Sequence, residues 1–138
     1  MPTISQLTNY AQLAALNWTF TTTPMTGPNA RPTTWFVALS TTQPTSSGGS
    51  VTEPVGNGYA RQSCTFGASS GNPGQCVNTN LLQFTASGGD WGTVVYALVY
   101  DALTLGNAWA MGPLANSKLI QSGDSLQFQI SQLAVQFI

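Results

Sequence analysis

The stretch Val94-Val95-Tyr96-Ala97-Leu98-Val99-Tyr100 decides the fold of this chain. Valine and tyrosine favour extended backbone, and the run is far shorter than the roughly 20 apolar residues of a membrane-spanning helix. Because the side chains of a strand alternate between its two faces, a run without a polar position has apolar side chains on both. We therefore predict a strand over 92–101 that is buried on both sides.

Other strand patterns lie on either side of this run. Trp35, Val37 and Leu39 share one face of a strand predicted over 34–41. Further strands are predicted over 59–66, 80–86, 107–112, 117–121 and 125–137. The last pattern skips one position at Ser131-Gln132, where we predict a bulge or corner that keeps both halves facing one core. Glycine-containing turns separate these segments, so the chain predicts a mainly β fold, an antiparallel β-sandwich or jelly-roll-like barrel.

The N-terminal residues predict the one sizeable helix. It is expected over 5–16, with Ser5 as its N-cap and apolar residues at helical spacing. Prolines then disfavour regular pairing over 19–33, which predicts an extended arm rich in threonine. We predict a single domain over 1–138, in which the helix and the arm precede a sandwich over 34–138.

Charge is scarce in this chain. It has three basic residues, four acidic residues and no histidine, whereas roughly a quarter of the residues of an ordinary domain are charged. Three scattered bases cannot neutralise the phosphates that nucleic-acid affinity requires, so we expect no nucleic-acid partner. No membrane span and no secretory signal are evident, so we expect no membrane partner and synthesis in the cytoplasm.

The same scarcity argues against catalysis. A serine nucleophile needs a base, and without histidine the serines have no evident one. Two carboxylates suffice for a glycosidase, but Asp90 and Asp124 fall in predicted turns and Asp101 at a strand end, where aspartate has a structural role. We therefore expect no enzyme activity, no catalytic residues and no cofactor.

Cys64 and Cys76 are the only cysteines. A disulfide between them would close a short loop, whereas synthesis in a reducing compartment favours two thiols. The sequence leaves both states open. Two thiols without histidine cannot complete a tetrahedral metal shell within one chain, so no metal site is predicted.

Apolar residues without an evident place in the predicted core are candidates for contact with a partner. Arg61 lies within a strand pattern, where it either contacts a partner or lies over the sheet with its head in water. The apolar segment from Leu133 onward is expected to pair, either in its own sheet or as a strand added to a neighbour. The candidate interface residues are Trp18, Phe20, Met25, Arg61, Trp91, Leu133, Val135, Phe137 and Ile138.

The four tryptophans also allow a second interpretation, a sugar-stacking platform. Trp35 and Trp109 lie in alternating strand patterns, which favours a place in the core. Trp18 and Trp91 lie outside such patterns, so they are the ones expected to meet a glycan or a protein partner.

The order of these features resembles a family of small bacteriophage virion proteins. The resemblance spans nearly the whole chain and begins with the N-terminal helix. The residues that then carry it are Trp35–Ser40, Gly58–Gln62, Asn78-Thr79-Asn80 with Phe84, Asp90–Val94, Tyr100-Asp101-Ala102, Gly112-Pro113-Leu114, Ser117-Lys118 and Gly123–Leu126.

This resemblance implies a virion structural protein. Similar proteins include tail-fibre proteins and capsid cement (decoration) proteins, which are commonly trimeric β-sandwiches bound outside the major capsid protein. Because the chain lacks the heptads or repeats of an elongated fibre, we expect a cement protein: a homotrimer on the capsid exterior, made in the bacterial host's cytoplasm. The alternative is a tail-associated, tail-fibre or receptor-binding (glycan-binding) virion protein.

Overall fold

The computed structural model describes residues 3–4, 6–22, 24–27, 30–72 and 74–136. Within them the chain is mainly β and has one helix, α1, which spans Asn9–Phe20. The strands are β1 (Thr3–Ile4), β2 (Gln6–Leu7), β3 (Trp35–Ser40), β4 (Gln62–Cys64), β5 (Gln75–Val77), β6 (Leu82–Thr85), β7 (Gly92–Tyr100), β8 (Ala108–Ile120), β9 (Ser125–Phe128) and β10 (Ala134–Gln136). These elements confirm the predicted fold class.

The described strands form three sheets. A five-stranded sheet has the order β2-β8-β7-β3-β4, a three-stranded sheet has the order β1-β10-β5, and β6 pairs with β9. The named strands pair in antiparallel fashion, apart from the short parallel pair of β1 and β10. The strand predicted from the opening stretch is β7, and it lies at the centre of the largest sheet.

The predicted burial of β7 on both faces is confirmed for its second half. Ala97 and Val99 lie in the main core, whereas Leu98 and Tyr100 lie in a smaller cluster on the other face. Val94 also lies in the main core, because a register shift between Val94 and Tyr96 reverses the alternation along the strand. The central strand therefore holds two apolar layers together.

Side chains from all three sheets share the main core, which gives the molecule a sandwich-like arrangement. Large buried side chains of this core include Ile4, Val37, Leu39, Leu82, Phe84, Trp91, Val94, Ile120, Leu126, Phe128 and Leu133. Full burial of one such side chain contributes about 1.5–3 kcal/mol to stability. The core therefore ties the first described strand to the last.

The N-cap of the helix lies three residues later than predicted. Gln6 and Leu7 pair with Met111 and Ala110 of β8, so this part of the chain is a strand, and Thr8 is the N-cap. The predicted cap, Ser5, lies outside the described residues. The helix also continues to Phe20, because no proline interrupts it before residue 24.

Two predicted strands, over 107–112 and 117–121, are the single strand β8. Val94 of β7 pairs with Lys118, but Tyr96 pairs with Pro113. The intervening residues of β8 leave the regular register next to Pro113, whose nitrogen cannot donate to a ladder. The predicted break between the two strands is therefore an irregularity within one strand.

The predicted strand over 59–66 is shorter in the structure, where β4 covers only Gln62–Cys64. The Tyr59 backbone N–H closes a turn by donating to the Gly56 carbonyl oxygen over 3.0 Å. Arg61 lies before the first residue of β4, and its side chain forms an ion pair with Glu53.

Cys64 and Cys76 are both free thiols. Burial raises the pKa of the Cys64 thiol to about 12.

The pattern over 125–137 divides at the predicted corner. Ser131 has a left-handed φ of 66°, and the Gln132 N–H donates to the Gln129 carbonyl oxygen over 3.0 Å. The chain thereby passes from the β6–β9 pair to the three-stranded sheet, with both halves still contributing to one core. Ile130, which the alternation placed inward, is 58% exposed because it lies in this turn.

Candidate interaction surfaces

Helix α1 presents apolar side chains to solvent. Leu13, Leu16 and Phe20 are 64%, 53% and 79% exposed, and we call these three residues the helix surface. Ala11 alone is buried among the twelve residues of the helix, and none of the twelve is charged. Large contiguous apolar surfaces on soluble proteins typically mark contact sites.

Thr8 anchors this helix to the five-stranded sheet. Its hydroxyl donates to the Ala108 carbonyl oxygen over 2.7 Å and accepts from the Ala11 backbone N–H over 3.2 Å. The Asn9 backbone N–H donates to the Ser46 carbonyl oxygen over 3.0 Å. The N-terminal turn is therefore fixed to β8 and to the loop after β3. The three side chains of the helix surface take no part in these bonds.

Three of the four tryptophans meet on one side of α1. The Trp109 ring stacks on Trp18 at a centroid distance of 5.6 Å and makes edge contacts with Trp35 and Tyr10 at 5.5 and 5.3 Å. The Trp109 indole N–H donates to Asp101 Oδ2 over 3.1 Å. A cleft of about 380 Å³ lies beside this cluster, and Trp18 and Trp109 are among the residues that line it.

Arg61 and Glu53 form an ion pair near the end of the sheet. Arg61 Nε and an Nη donate to the two Glu53 carboxylate oxygens over 3.0 and 2.8 Å. The other Nη donates to the carbonyl oxygens of Ala102 and Leu105 over 2.9 and 2.8 Å. Since Arg61 is only 9% exposed, its head does not lie in water, which corrects that alternative. Within its own chain Arg61 joins the loop before β4 to the β7–β8 loop.

The carboxylates of this region have shifted pKa values. Burial alone would raise the pKa of Glu53, but the hydrogen bonds from Arg61 and Tyr59 and the charge of Arg61 outweigh it and hold this pKa below its ordinary value. Burial likewise opposes ionisation of Asp101, yet hydrogen bonds from Asn107 and Trp109 leave its pKa lowered. Both groups are therefore stabilised as carboxylates by the fold.

The remaining carboxylates have structural contacts as well. Asp124 Oδ2 accepts from the Gln121 backbone N–H over 2.9 Å, and Asp90 Oδ1 accepts from that of Ser122 over 2.8 Å. The predicted role of these aspartates in turns is thus confirmed. In the described part of the chain, no three acidic or cysteine side chains lie close enough together to hold a metal ion.

The structure divides the predicted interface residues into two groups. Trp91 is 7% exposed, and its indole N–H donates to the Asn57 carbonyl oxygen over 2.9 Å. Leu133 is fully buried in the main core. These two side chains are therefore held inside their own chain, which corrects their predicted place on the surface.

The C-terminal segment pairs within its own chain as far as it is described. Val135 is half-buried and pairs with Ile4 and Cys76 across β10. Phe137 and Ile138 lie outside the described residues. Two of the predicted interface residues, Phe20 and Met25, have exposed side chains, with exposed fractions of 79% and 49%. A third, Trp18, is half-buried.

Sequence reasoning missed Leu13 and Leu16 as surface residues. The helix was predicted from a stripe of apolar residues, Leu7, Tyr10, Ala11 and Ala14, that includes neither of these leucines. A signal was present nonetheless, because the helix residues are apolar on more than one side. No helix in the described part of the chain is long and apolar enough to cross a membrane.

A comparison with known protein families matches residues 6–136, nearly the whole chain, to the family described as podophage GP4 fiber I protein gp80. A search of curated proteins finds no match. The matched span includes α1 and both apolar layers, so it covers the fold as well as the helix surface. The chain belongs to the podophage GP4 fiber I protein gp80 family and is a phage virion structural protein.

Proposed function

We propose that this protein is a fibre subunit of a phage virion and that it acts by contact rather than by catalysis. The helix surface is where it joins further virion protein, beginning with other copies of itself. The expected form is a homotrimer without bound cofactor or nucleic acid. The family's description as a fibre protein supports this assignment.

The observation that carries the proposal is the exposure of α1. A twelve-residue helix is marginal on its own in water, and α1 buries only Ala11. The side chains of the helix surface contribute little to the stability of the isolated subunit, whereas their burial against a partner removes apolar area from water. An uncharged surface is also removed from water at little electrostatic cost.

Capsid cement is the second candidate, and the chain's compact size favours it. The two functions differ in where the protein lies and in how many copies a particle holds. A fibre subunit is present in a small number at the tail end, whereas a cement protein covers the shell in hundreds of copies. The family's description as a fibre protein leads us to place the fibre first.

Immunogold labelling of intact particles, together with quantitative mass spectrometry of the copy number, tests the location. Gold at the tail and a copy number of tens or fewer supports a fibre subunit. Labelling over the whole shell with hundreds of copies overturns it in favour of cement. Absence of the protein from purified particles overturns both.

The helix surface is tested with a pair of matched leucines. Leu16 is 53% exposed on α1, and Leu119 is 55% exposed on β8. We expect Leu16→Ser to weaken self-association by about tenfold, the equivalent of a lost apolar contact, while Leu119→Ser leaves it unchanged. Sedimentation velocity over a concentration series measures both. Equal behaviour of the two variants would remove the helix surface from the proposal.

A further inference from the structure

The cleft beside the tryptophan cluster has the size of a small-ligand site. Its volume is about 380 Å³, within the roughly 300–1,000 Å³ that is typical of such sites. Tyr10, Leu13, Ala14 and Asn17 line it from α1, and their spacing of three and four residues places them on one stripe of the helix. Trp109 lines it from β8.

The aromatic side of the cleft is fixed by the fold. The buried ring of Trp109 lies in contact with the rings of Tyr10, Trp18 and Trp35, and its indole N–H is bonded to the carboxylate of Asp101. Aromatic rings that are ordered before binding lose little entropy when a ligand packs against them. The cleft therefore offers a preformed apolar wall.

Two neutral polar groups lie at the same cleft. The side chains of Tyr10 and Asn17 are both exposed, and within the described part of the chain the Tyr10 hydroxyl and the Asn17 amide have no hydrogen-bond partner. Each group can donate and accept a hydrogen bond. None of the described lining residues is charged, so the cleft offers nothing to compensate the desolvation of an ionic ligand.

We propose that this cleft binds a neutral saccharide, with a C–H face of one sugar ring against the aromatic side chains and ring hydroxyls bonded to Tyr10 and Asn17. A sugar ring combines an apolar face with a rim of uncharged hydroxyls, and these are the two kinds of surface that the cleft presents. The inference goes beyond the proposed function, because the binding of a saccharide requires no second subunit.

The cleft and the greater part of the helix surface lie on different stripes of α1. Leu13 belongs to both, but Leu16 and Phe20 line a separate hollow together with Leu7 and Gln12. None of the residues that line this second hollow is among those described for the cleft. Contact through Leu16 and binding of a sugar can therefore be tested separately.

Nitrogen-15 NMR of the tryptophan indole N–H signals tests the site. The probes are the methyl glycosides of glucose, galactose, mannose, rhamnose and N-acetylglucosamine, each titrated into the full chain to millimolar concentration. We expect at least one of them to shift the Trp109 signal until it saturates. The Trp91 signal should not move, because that indole is buried and bonded to the Asn57 carbonyl oxygen. Added NaCl should leave the affinity unchanged, since no charge takes part.

Two variants test the polar contacts. We expect Asn17→Ala and Tyr10→Phe each to weaken binding by about 3- to 10-fold, the equivalent of one lost hydrogen bond. Alanine favours the helix, and phenylalanine keeps the ring, so both variants should stay folded. Asn116→Ala removes the same amide from an exposed site of β8 and should bind the sugar like the unaltered protein. Circular dichroism verifies the fold of each variant.

The inference is overturned if no sugar of the panel shifts the Trp109 signal, or if Asn17→Ala and Asn116→Ala bind with equal affinity. A parallel titration with phenol gives a further outcome: a Trp109 shift with phenol alone would make the cleft an apolar site and overturn the inference. Leu16→Ser, the variant that tests self-association, should bind the sugar normally. Loss of self-association and loss of saccharide binding are thus separate results, and failure of this inference leaves the proposed function standing.

Discussion

The guanidinium of Arg61 makes three kinds of contact: with a carboxylate, with backbone carbonyl oxygens and with an aromatic ring. It binds both oxygens of Glu53, donates to two loop carbonyl oxygens, and lies 3.7 Å from the centroid of the Tyr100 ring. A planar, permanently charged group with forked donors is suited to this combination of contacts. The sequence placed Arg61 within a strand pattern, but nothing local to it indicates that Glu53 is its partner.

We expect Arg61→Met to lower the free energy of unfolding by about 3 kcal/mol, because it leaves Glu53 without its partner. The Glu53 side chain is 25% exposed, so water offsets part of the loss. Arg31→Met removes the same group from an exposed position and should change stability by less than about 0.5 kcal/mol. Urea unfolding measures both variants, and an Arg61 variant as stable as the Arg31 variant would contradict the structural role.

At the scale of the elements, Asn78 joins segments that the sequence separates widely. Its side-chain Nδ2 donates to the carbonyl oxygens of Asn80 and Gln129, both over 2.9 Å, and its Oδ1 accepts from the Leu133 N–H over 2.9 Å. The side chain is fully buried. A single amide thereby fixes the end of β5 to the turn after β9 and to the start of β10.

We expect Asn78→Asp to lower the free energy of unfolding by roughly 3 kcal/mol or more, since two buried donors become acceptors facing carbonyl oxygens. Asn116→Asp makes the same change at an exposed site of β8 and should have little effect. Midpoints of urea unfolding at neutral pH compare the two variants. If the unfolding midpoints of both variants shift equally, the loss of stability comes from the added negative charge rather than from the broken hydrogen bonds of Asn78.

Local patterns predicted the elements whose cause is local. The apolar run of β7 and the alternation through Trp35, Val37 and Leu39 are properties of neighbouring residues, and both strands were predicted close to their observed bounds. Pairings across the chain were not predictable in this way. Leu7 looks helical until its pairing with Ala110 makes it a strand, and the exposure of Leu13 and Leu16 depends on how α1 packs against distant parts of the chain.

On the scale of the whole molecule, scarce charge affects how stability depends on pH. The chain has no histidine, so no side chain with an ordinary pKa titrates between about pH 5.5 and 7.5. Glu53 and Asp101 have lowered pKa values in the fold. The stability that these two carboxylates contribute to the fold is therefore complete above their ordinary pKa values of 4.5 and 3.8. It is lost as the pH falls through their pKa values in the folded protein.

The alkaline side follows from the opposite shift. Burial raises the pKa of Tyr59, an effect that its hydrogen bond to Glu53 strengthens, and burial raises that of Cys64 to about 12. Their protonated forms are favoured in the fold, so this stabilisation is complete below their ordinary values of 10.0 and 9.0 and is lost as the pH rises towards the folded values. The free energy of unfolding should consequently decline at both extremes.

We therefore expect a plateau of stability between about pH 5.5 and 7.5, with a decline below about pH 4.5 and another above about pH 9. Urea unfolding from pH 3 to pH 10 measures the profile. Glu53→Gln should be less stable on the plateau and show a shallower acid decline, because it lacks one of the carboxylates responsible, while Cys64→Ala should reduce the alkaline decline. A steep change between pH 5.5 and 7.5 would mean that a group other than these side chains controls the stability of the fold.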